Sequence, residues 1–70
     1  MKEITASMAG TVLNIFTENG NPVSAGQEVL MLESMKMEIP IESTTEGIVL
    51  EVKVTIGDFV NEGDVLIVLE

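Results

Sequence analysis

The chain repeats itself. Shifting the sequence by 37 positions lays its second half on its first: Gly10, Gly20 and Gly26 fall on Gly47, Gly57 and Gly63. Between them Val12 falls on Val49, Leu13 on Leu50, Val23 on Val60, Leu32 on Leu69 and Glu33 on Glu70. Three glycines at one offset, with apolar positions in step between them, mark an internal duplication. Each copy reads as strand, glycine turn, short connection, glycine turn, strand. Two such copies bury their apolar faces against each other. The expected product is an all-β fold, a small sandwich or flattened barrel with approximate twofold symmetry, packed half against half.

The strands can be placed in order. Lys2 to Ser7 alternates weakly, with Ile4 and Ala6 on one face, and Met8-Ala9-Gly10 turns the chain. Thr11 to Phe16 has β-branched and aromatic bias, and Glu18 to Pro22 ends it with strong turn signals. After Ser24-Ala25-Gly26 comes a strand over Glu28 to Glu33, then another over Met37 to Ile41. Pro40 lacks a ladder donor and confines that strand to an edge or cuts it short. Glu42 to Glu46 is polar and irregular. Gly47 opens the second copy, with strands over Ile48 to Val54 and Val65 to Leu69 and turns at Thr55 to Asp58 and Glu62 to Asp64. Propensity alone favours a helix over Gln27 to Glu38, which is rich in Leu, Met, Glu and Lys. The repeat argues against it, because the counterpart after Gly63 is β-branched and stops too soon for a stable helix. Residues 1–70 are expected to form a single domain. A chain this short buries only roughly 60% of its unfolded surface, so the fold has to be compact and regular.

The stretch with the most unusual local chemistry is Glu33-Ser34-Met35-Lys36-Met37-Glu38, near the midpoint, which holds the only lysine between Lys2 and Lys53. With strands on both sides, it has to reverse the chain. Tight two-residue hairpins favour Asn-Gly or Asp-Gly, because their central residues need positive φ. Here the tip offers Met-Lys. Turn chemistry that breaks the local rule in an otherwise consistent sequence points to use of the tip. The plainer reading of Lys36 is a solvated loop lysine.

The residue inventory narrows the chemistry. The chain has no cysteine and no histidine, which removes disulfides, thiol nucleophiles, the usual zinc ligands and imidazole acid–base mechanisms. Catalysis would have to rest on carboxylates alone. A formal charge of −9, spread along the chain, repels phosphate backbones and anionic membranes and disfavours nucleic-acid binding. No apolar run is long enough for membrane insertion as a span, and Met1-Lys2-Glu3 begins no signal peptide, so the cytoplasm is the expected location.

Glu33 to Glu38 resembles the attachment signature of the biotinyl/lipoyl attachment domains, the biotin carboxyl carrier proteins and their relatives. The resemblance extends to Ser7-Met8-Ala9-Gly10-Thr11-Val12, to Gly20 through Leu32 and to Gly47 through Leu66, nearly the whole chain. It implies a flattened β-barrel of two antiparallel four-stranded sheets with pseudo-twofold symmetry, the lysine on an exposed hairpin and both termini at the opposite end. It implies biotin joined to Lys36 by a biotin protein ligase. The biotin would then be carboxylated by a biotin carboxylase with bicarbonate and ATP, and discharged at a carboxyltransferase. Met35 and Met37 would flank the lysine as an exposed apolar surface read by those enzymes, against the alternative of ordinary apolar filler.

Ser7 and Ala9 stand where the family often has prolines. Nothing between Phe16 and Gly20 corresponds to the extra thumb of some bacterial carriers, and no Ala/Pro-rich linker is present. The chain therefore resembles the very short, free-standing attachment proteins, or a domain cut from a larger carboxylase or decarboxylase. Glu33 has two readings. Lipoyl domains place an acidic residue used in lipoylation three positions before their lysine, which suggests ligase recognition; Glu70 fills the matching place in a half without the lysine, which suggests a structural role. Lipoate on Lys36 is the alternative cofactor, although lipoyl domains usually carry Asp-Lys-Ala at this tip. An unmodified structural adaptor is the alternative from a different class. Lys2 and Lys53, placed within strands, are expected to carry no chemistry.

Overall fold

The computed structural model describes Met1–Glu70 as eight β-strands and no helix. They are β1 (Lys2–Thr5), β2 (Gly10–Ile15), β3 (Pro22–Val23), β4 (Glu28–Ser34), β5 (Met37–Glu42), β6 (Gly47–Val52), β7 (Phe59–Val60) and β8 (Val65–Leu69). Two four-stranded sheets form, in the orders β1-β8-β6-β3 and β5-β4-β2-β7, and every pairing is antiparallel. Shifting each strand of the first sheet by one repeat, forward for β1 and β3 and back for β6 and β8, generates the second, which is the twofold symmetry anticipated from the glycines.

The two copies do not pack half against half. Each sheet takes two strands from each copy, so the halves interleave. Hydrophobic periodicity tells which face of a strand is buried, but it does not name the neighbour across the ladder. The structure also adds β3 and β7, two residues each, which lie below the length at which alternation is readable. The helix favoured by propensity over Gln27 to Glu38 is absent: β4 and β5 pair there from Ser34↔Met37 back to Glu28↔Glu42. Pro40 lies on the sheet edge, where its missing N–H leaves no ladder bond broken, and β5 continues past it to Glu42.

The symmetry extends to individual hydrogen bonds. Ala6 N–H donates to Asp64 O at 2.9 Å and its counterpart Ser43 N–H to Gln27 O at 2.9 Å; Gly57 N–H donates to Val12 O and Gly20 N–H to Val49 O, both at 2.8 Å. Gly20 and Gly57 have φ of 90° and 98°, and Gly26 and Gly63 have 86° and 89°, all in the region that glycine enters without steric penalty. These four glycines are turn residues. Gly10 and Gly47 are not: both lie in strands, and the turn expected at Met8-Ala9-Gly10 gives way to β2 starting at Gly10. A Cβ on Gly10 would meet the Glu33 carbonyl oxygen at 2.8 Å, and one on Gly47 would meet that of Glu70 at 3.0 Å. Their requirement is close approach between strands.

Thirteen apolar side chains make one core between the sheets. Val12, Leu30, Leu32, Val49, Leu66 and Leu69 lie at its centre, fully buried. Leu32 and Leu69 are symmetry mates, as are Val12 and Val49. The hairpin β4–β5 is the symmetry counterpart of the β8–β1 pair, which joins Lys2↔Leu69 as the hairpin joins Leu32↔Ile39. Met1 and Glu70 therefore sit at the end of the barrel away from the central tip. No helix is long and apolar enough to cross a membrane.

Candidate functional site

β4 carries Leu30 and Leu32 into the core, and Glu33 points outward by alternation. The Ser34↔Met37 pair closes the ladder, leaving Met35 and Lys36 as a two-residue loop. Both have positive φ, 51° for Met35 and 64° for Lys36, and they are the only non-glycine residues in the chain that do. This is the type I′ pattern, whose twist matches the flanking strands but whose central positions disfavour side chains with a Cβ. The strain costs about 1–2 kcal/mol per residue. It falls where the sequence placed its least suitable turn residues.

The tip is open to solvent. Met35 is 88% exposed and Met37 62%, and Lys36 is exposed as well. Exposure of both methionines excludes their reading as core filler. Lys2 Nζ donates to the Glu46 carbonyl at 2.7 Å, and Lys53 pairs with Glu51 at 3.5 Å in the chain's single ion pair. Lys36 alone among the lysines has neither a hydrogen bond nor an ion pair. Lys2 lies in β1 as expected, whereas Lys53 falls just beyond β6, which ends at Val52, two residues short of the expected end. No group of three or more carboxylates is arranged to hold a metal ion.

Below the tip the register sets four outward residues in one row across the sheet: Glu38 opposite Glu33, Glu33 opposite Thr11, and Thr11 opposite Phe59. A shallow open groove lies along it, lined by Ala9, Gly10, Thr11, Glu33, Ser34, Met35, Lys36 and Phe59. Gly10 sits directly beneath the tip, and its missing Cβ lets the Glu33 carbonyl approach β2. Thr11 and Phe59 were not singled out from the sequence. The available signal was a departure from the repeat: Phe59 matches Pro22, and Thr11 matches Ile48.

An exposed amine on a strained bend, free of partners and bordered by an open groove, fits covalent loading by a bulky acyl group. The family described as biotin-requiring enzyme matches residues 2–69. The biotin/lipoyl attachment protein of Bacillus subtilis (strain 168) is 53% identical over 66 residues, covering 94% of this chain and 90% of that protein. The biotinylated protein TB7.3 homolog of Mycobacterium leprae (strain TN) is 35% identical over 68 residues, 97% of this chain and 96% of that one. Among solved structures, the urea carboxylase of Kluyveromyces lactis contains a region that superposes with a TM-score of 0.91 at 28% identity, covering 99% of this chain and 6% of that one. Duplicated fold, protruding lysine hairpin and whole-length similarity agree, and the chain belongs to the biotin/lipoyl attachment family.

Proposed function

We propose that this protein is a biotin carrier, loaded on Lys36 Nζ by a biotin protein ligase, that serves a biotin carboxylase and a carboxyltransferase. The observation that carries this reading is the amine itself: exposed, unpaired and held on a two-residue bend of positive φ that is poor turn chemistry for any purpose other than presentation. Loading joins Nζ to the biotin carboxyl carbon as an amide, with loss of a proton from the nitrogen and of the activating group from the carboxyl. When bound, biotin supplies a ureido nitrogen that takes up a carboxyl group at one enzyme and releases it at another. The chain's own residues provide the rest. β4 and β5 fix the Lys36 Cα, Met35 and Met37 offer an apolar surface beside it, and the side chain gives reach. Glu33, outward and next to the tip, is available for contact with the ligase.

Met-Lys-Met at the tip, and similarity to a relative named as biotinylated, favour biotin. Lipoate on the same nitrogen is the second reading, supported by the shared family and by a relative named for both groups. The cytoplasm, where ligase and ATP are available, is the compartment in which this carrier would work. Intact mass of the protein from cells grown with biotin or lipoate separates the two cofactors. Co-expression with a biotin ligase is expected to give streptavidin reactivity that disappears in Lys36→Arg. Reactivity persisting in that variant, or no added mass with either cofactor, would refute the assignment, the latter in favour of the adaptor reading.

A further inference from the structure

The readily oxidised side chains of this protein are all of one kind. With no cysteine, histidine, tryptophan or tyrosine in the chain, a two-electron oxidant meets only the thioethers of five methionines. The fold sorts them. Met8 and Met31 are half-buried, Met31 on β4 between Asn14 and Pro40 of the neighbouring strands. Met1 is open but lies at the end of the barrel away from the tip. Met35 and Met37 are exposed on either side of Lys36, and neither is among the side chains packed in or against the core. Both stand on a fixed bend: Met37 pairs with Ser34 as the last rung of the ladder, and Met35 occupies left-handed backbone at φ 51°.

We propose that Met35 and Met37 form a reversible oxidation site, taking an oxygen atom from hydrogen peroxide, that lowers the use of Lys36 by partner enzymes; the effect on partners rests on the carrier reading given above. A lone pair on Sδ attacks one peroxide oxygen, and the S–O bond forms as the O–O bond breaks. The proton of the transferred hydroxyl passes to the departing hydroxide, which leaves as water. Sulfur is oxidised by two electrons and the peroxide reduced by two. Reversal by a methionine sulfoxide reductase takes two thiols to a disulfide, and the oxygen leaves as water. Each event turns a flexible apolar side chain into a polar one that accepts hydrogen bonds strongly. At Met8 and Met31 this would disturb packing. At the tip it leaves the barrel alone and alters the surface presented beside the amine, so oxidation there acts on recognition and spares the fold.

The test begins with the unloaded domain, because biotin has a thioether of its own. Peptide mass spectrometry during peroxide treatment is expected to show Met35 and Met37 converted ahead of Met8 and Met31, with an unchanged Tm while only exposed methionines are oxidised. Equal conversion of all five, or a Tm that falls with the tip sulfoxides, would overturn the site. After removal of peroxide, oxidised and untreated domains are loaded by a biotin ligase, and labelled bicarbonate fixed on the protein by a biotin carboxylase with ATP is counted. The oxidised domain is expected to load or to be carboxylated about tenfold more slowly, the scale of one apolar side chain lost from a contact. Reductase treatment before loading is expected to restore it. In Met35→Leu with Met37→Leu, peroxide should leave the rate where it started, whatever that rate is. An oxidised domain that loads and is carboxylated at the untreated rate would overturn the proposal, and so would an equal loss in the leucine variant, which would trace the effect to another methionine. Untreated domain that takes up no biotin would instead overturn the carrier reading, and the effect on partners with it.

Discussion

The tip is expected to be stabilised by the very substitutions that destroy its lysine. Met35 and Lys36 occupy left-handed backbone at φ 51° and 64°. For residues with a Cβ that conformation costs about 1–2 kcal/mol each, so the bend stores about 2–4 kcal/mol. Replacing the pair with Asn-Gly, as Met35→Asn with Lys36→Gly, relieves most of it. Part of the gain is returned because glycine loses more backbone freedom on folding, about 0.5–1 kcal/mol. The net expectation is about 1–2 kcal/mol of added stability. At about 4–8 °C per kcal/mol for a domain this small, the Tm should rise by about 4–16 °C. The chain has no tryptophan or tyrosine, so the melt has to be followed by far-UV circular dichroism or calorimetry, with both proteins unloaded. Met35→Asn alone keeps the amine and should give roughly half the rise. A double variant that melts at or below the wild-type temperature would refute the view that the backbone is strained here.

Three further perturbations test the scaffold around the tip. Gly10→Ala places a Cβ 2.8 Å from the Glu33 carbonyl oxygen, which belongs to a central strand and cannot step aside; a loss of about 1–3 kcal/mol is expected in denaturant unfolding. Gly47→Ala meets the Glu70 carbonyl oxygen at 3.0 Å, a looser contact than the 2.8 Å at Gly10, and a smaller loss is expected. Thr17 buries its hydroxyl oxygen without a hydrogen-bond partner, so Thr17→Val should add about 1 kcal/mol of stability, read as a higher denaturant midpoint at unchanged m-value. Glu33 and Glu38 are directly paired like charges, and neither is in an ion pair. Glu38→Lys should raise the Tm at low salt, and added NaCl should shrink that gain.

How far the sequence revealed this molecule depends on which physical signal each feature leaves. The duplication was legible because positive φ at Gly20, Gly26, Gly57 and Gly63 admits essentially one residue type, so the turns print themselves in the sequence. The strand over Glu28 to Glu33 was legible only through its copy, since the composition of Gln27 to Glu38 favours a helix. Gly10 was misread as a turn because a glycine needed for close approach looks the same as one needed for its φ, and the neighbour that demands it, Glu33, is far away in sequence. The interleaving of the halves left no local trace. At the site, Lys36 stood out because it breaks a turn rule. Glu33 drew attention only by resemblance, and Thr11 and Phe59 reach the tip through register alone.

The same comparison of copies separates scaffold from function. Core residues, turn glycines and bridging hydrogen bonds all come in symmetric pairs, so the barrel accounts for them without reference to any ligand. The bend Met35-Lys36 joins two strands whose counterparts, β8 and β1, pair without being joined. Its backbone is fixed by the Ser34↔Met37 pair on a rigid sheet, leaving few main-chain dihedrals to fluctuate. Mobility then begins at the Lys36 Cβ, where an exposed, unpaired side chain keeps its rotamer freedom, worth up to about 2 kcal/mol. Rigidity up to one carbon and freedom beyond it is what swinging between two active sites requires: a flexible bend would lose orientation, and a pinned lysine would lose reach. Strain at the tip is therefore consistent with the proposed role, because the shorter and stiffer the loop, the more of the motion is confined to the tether.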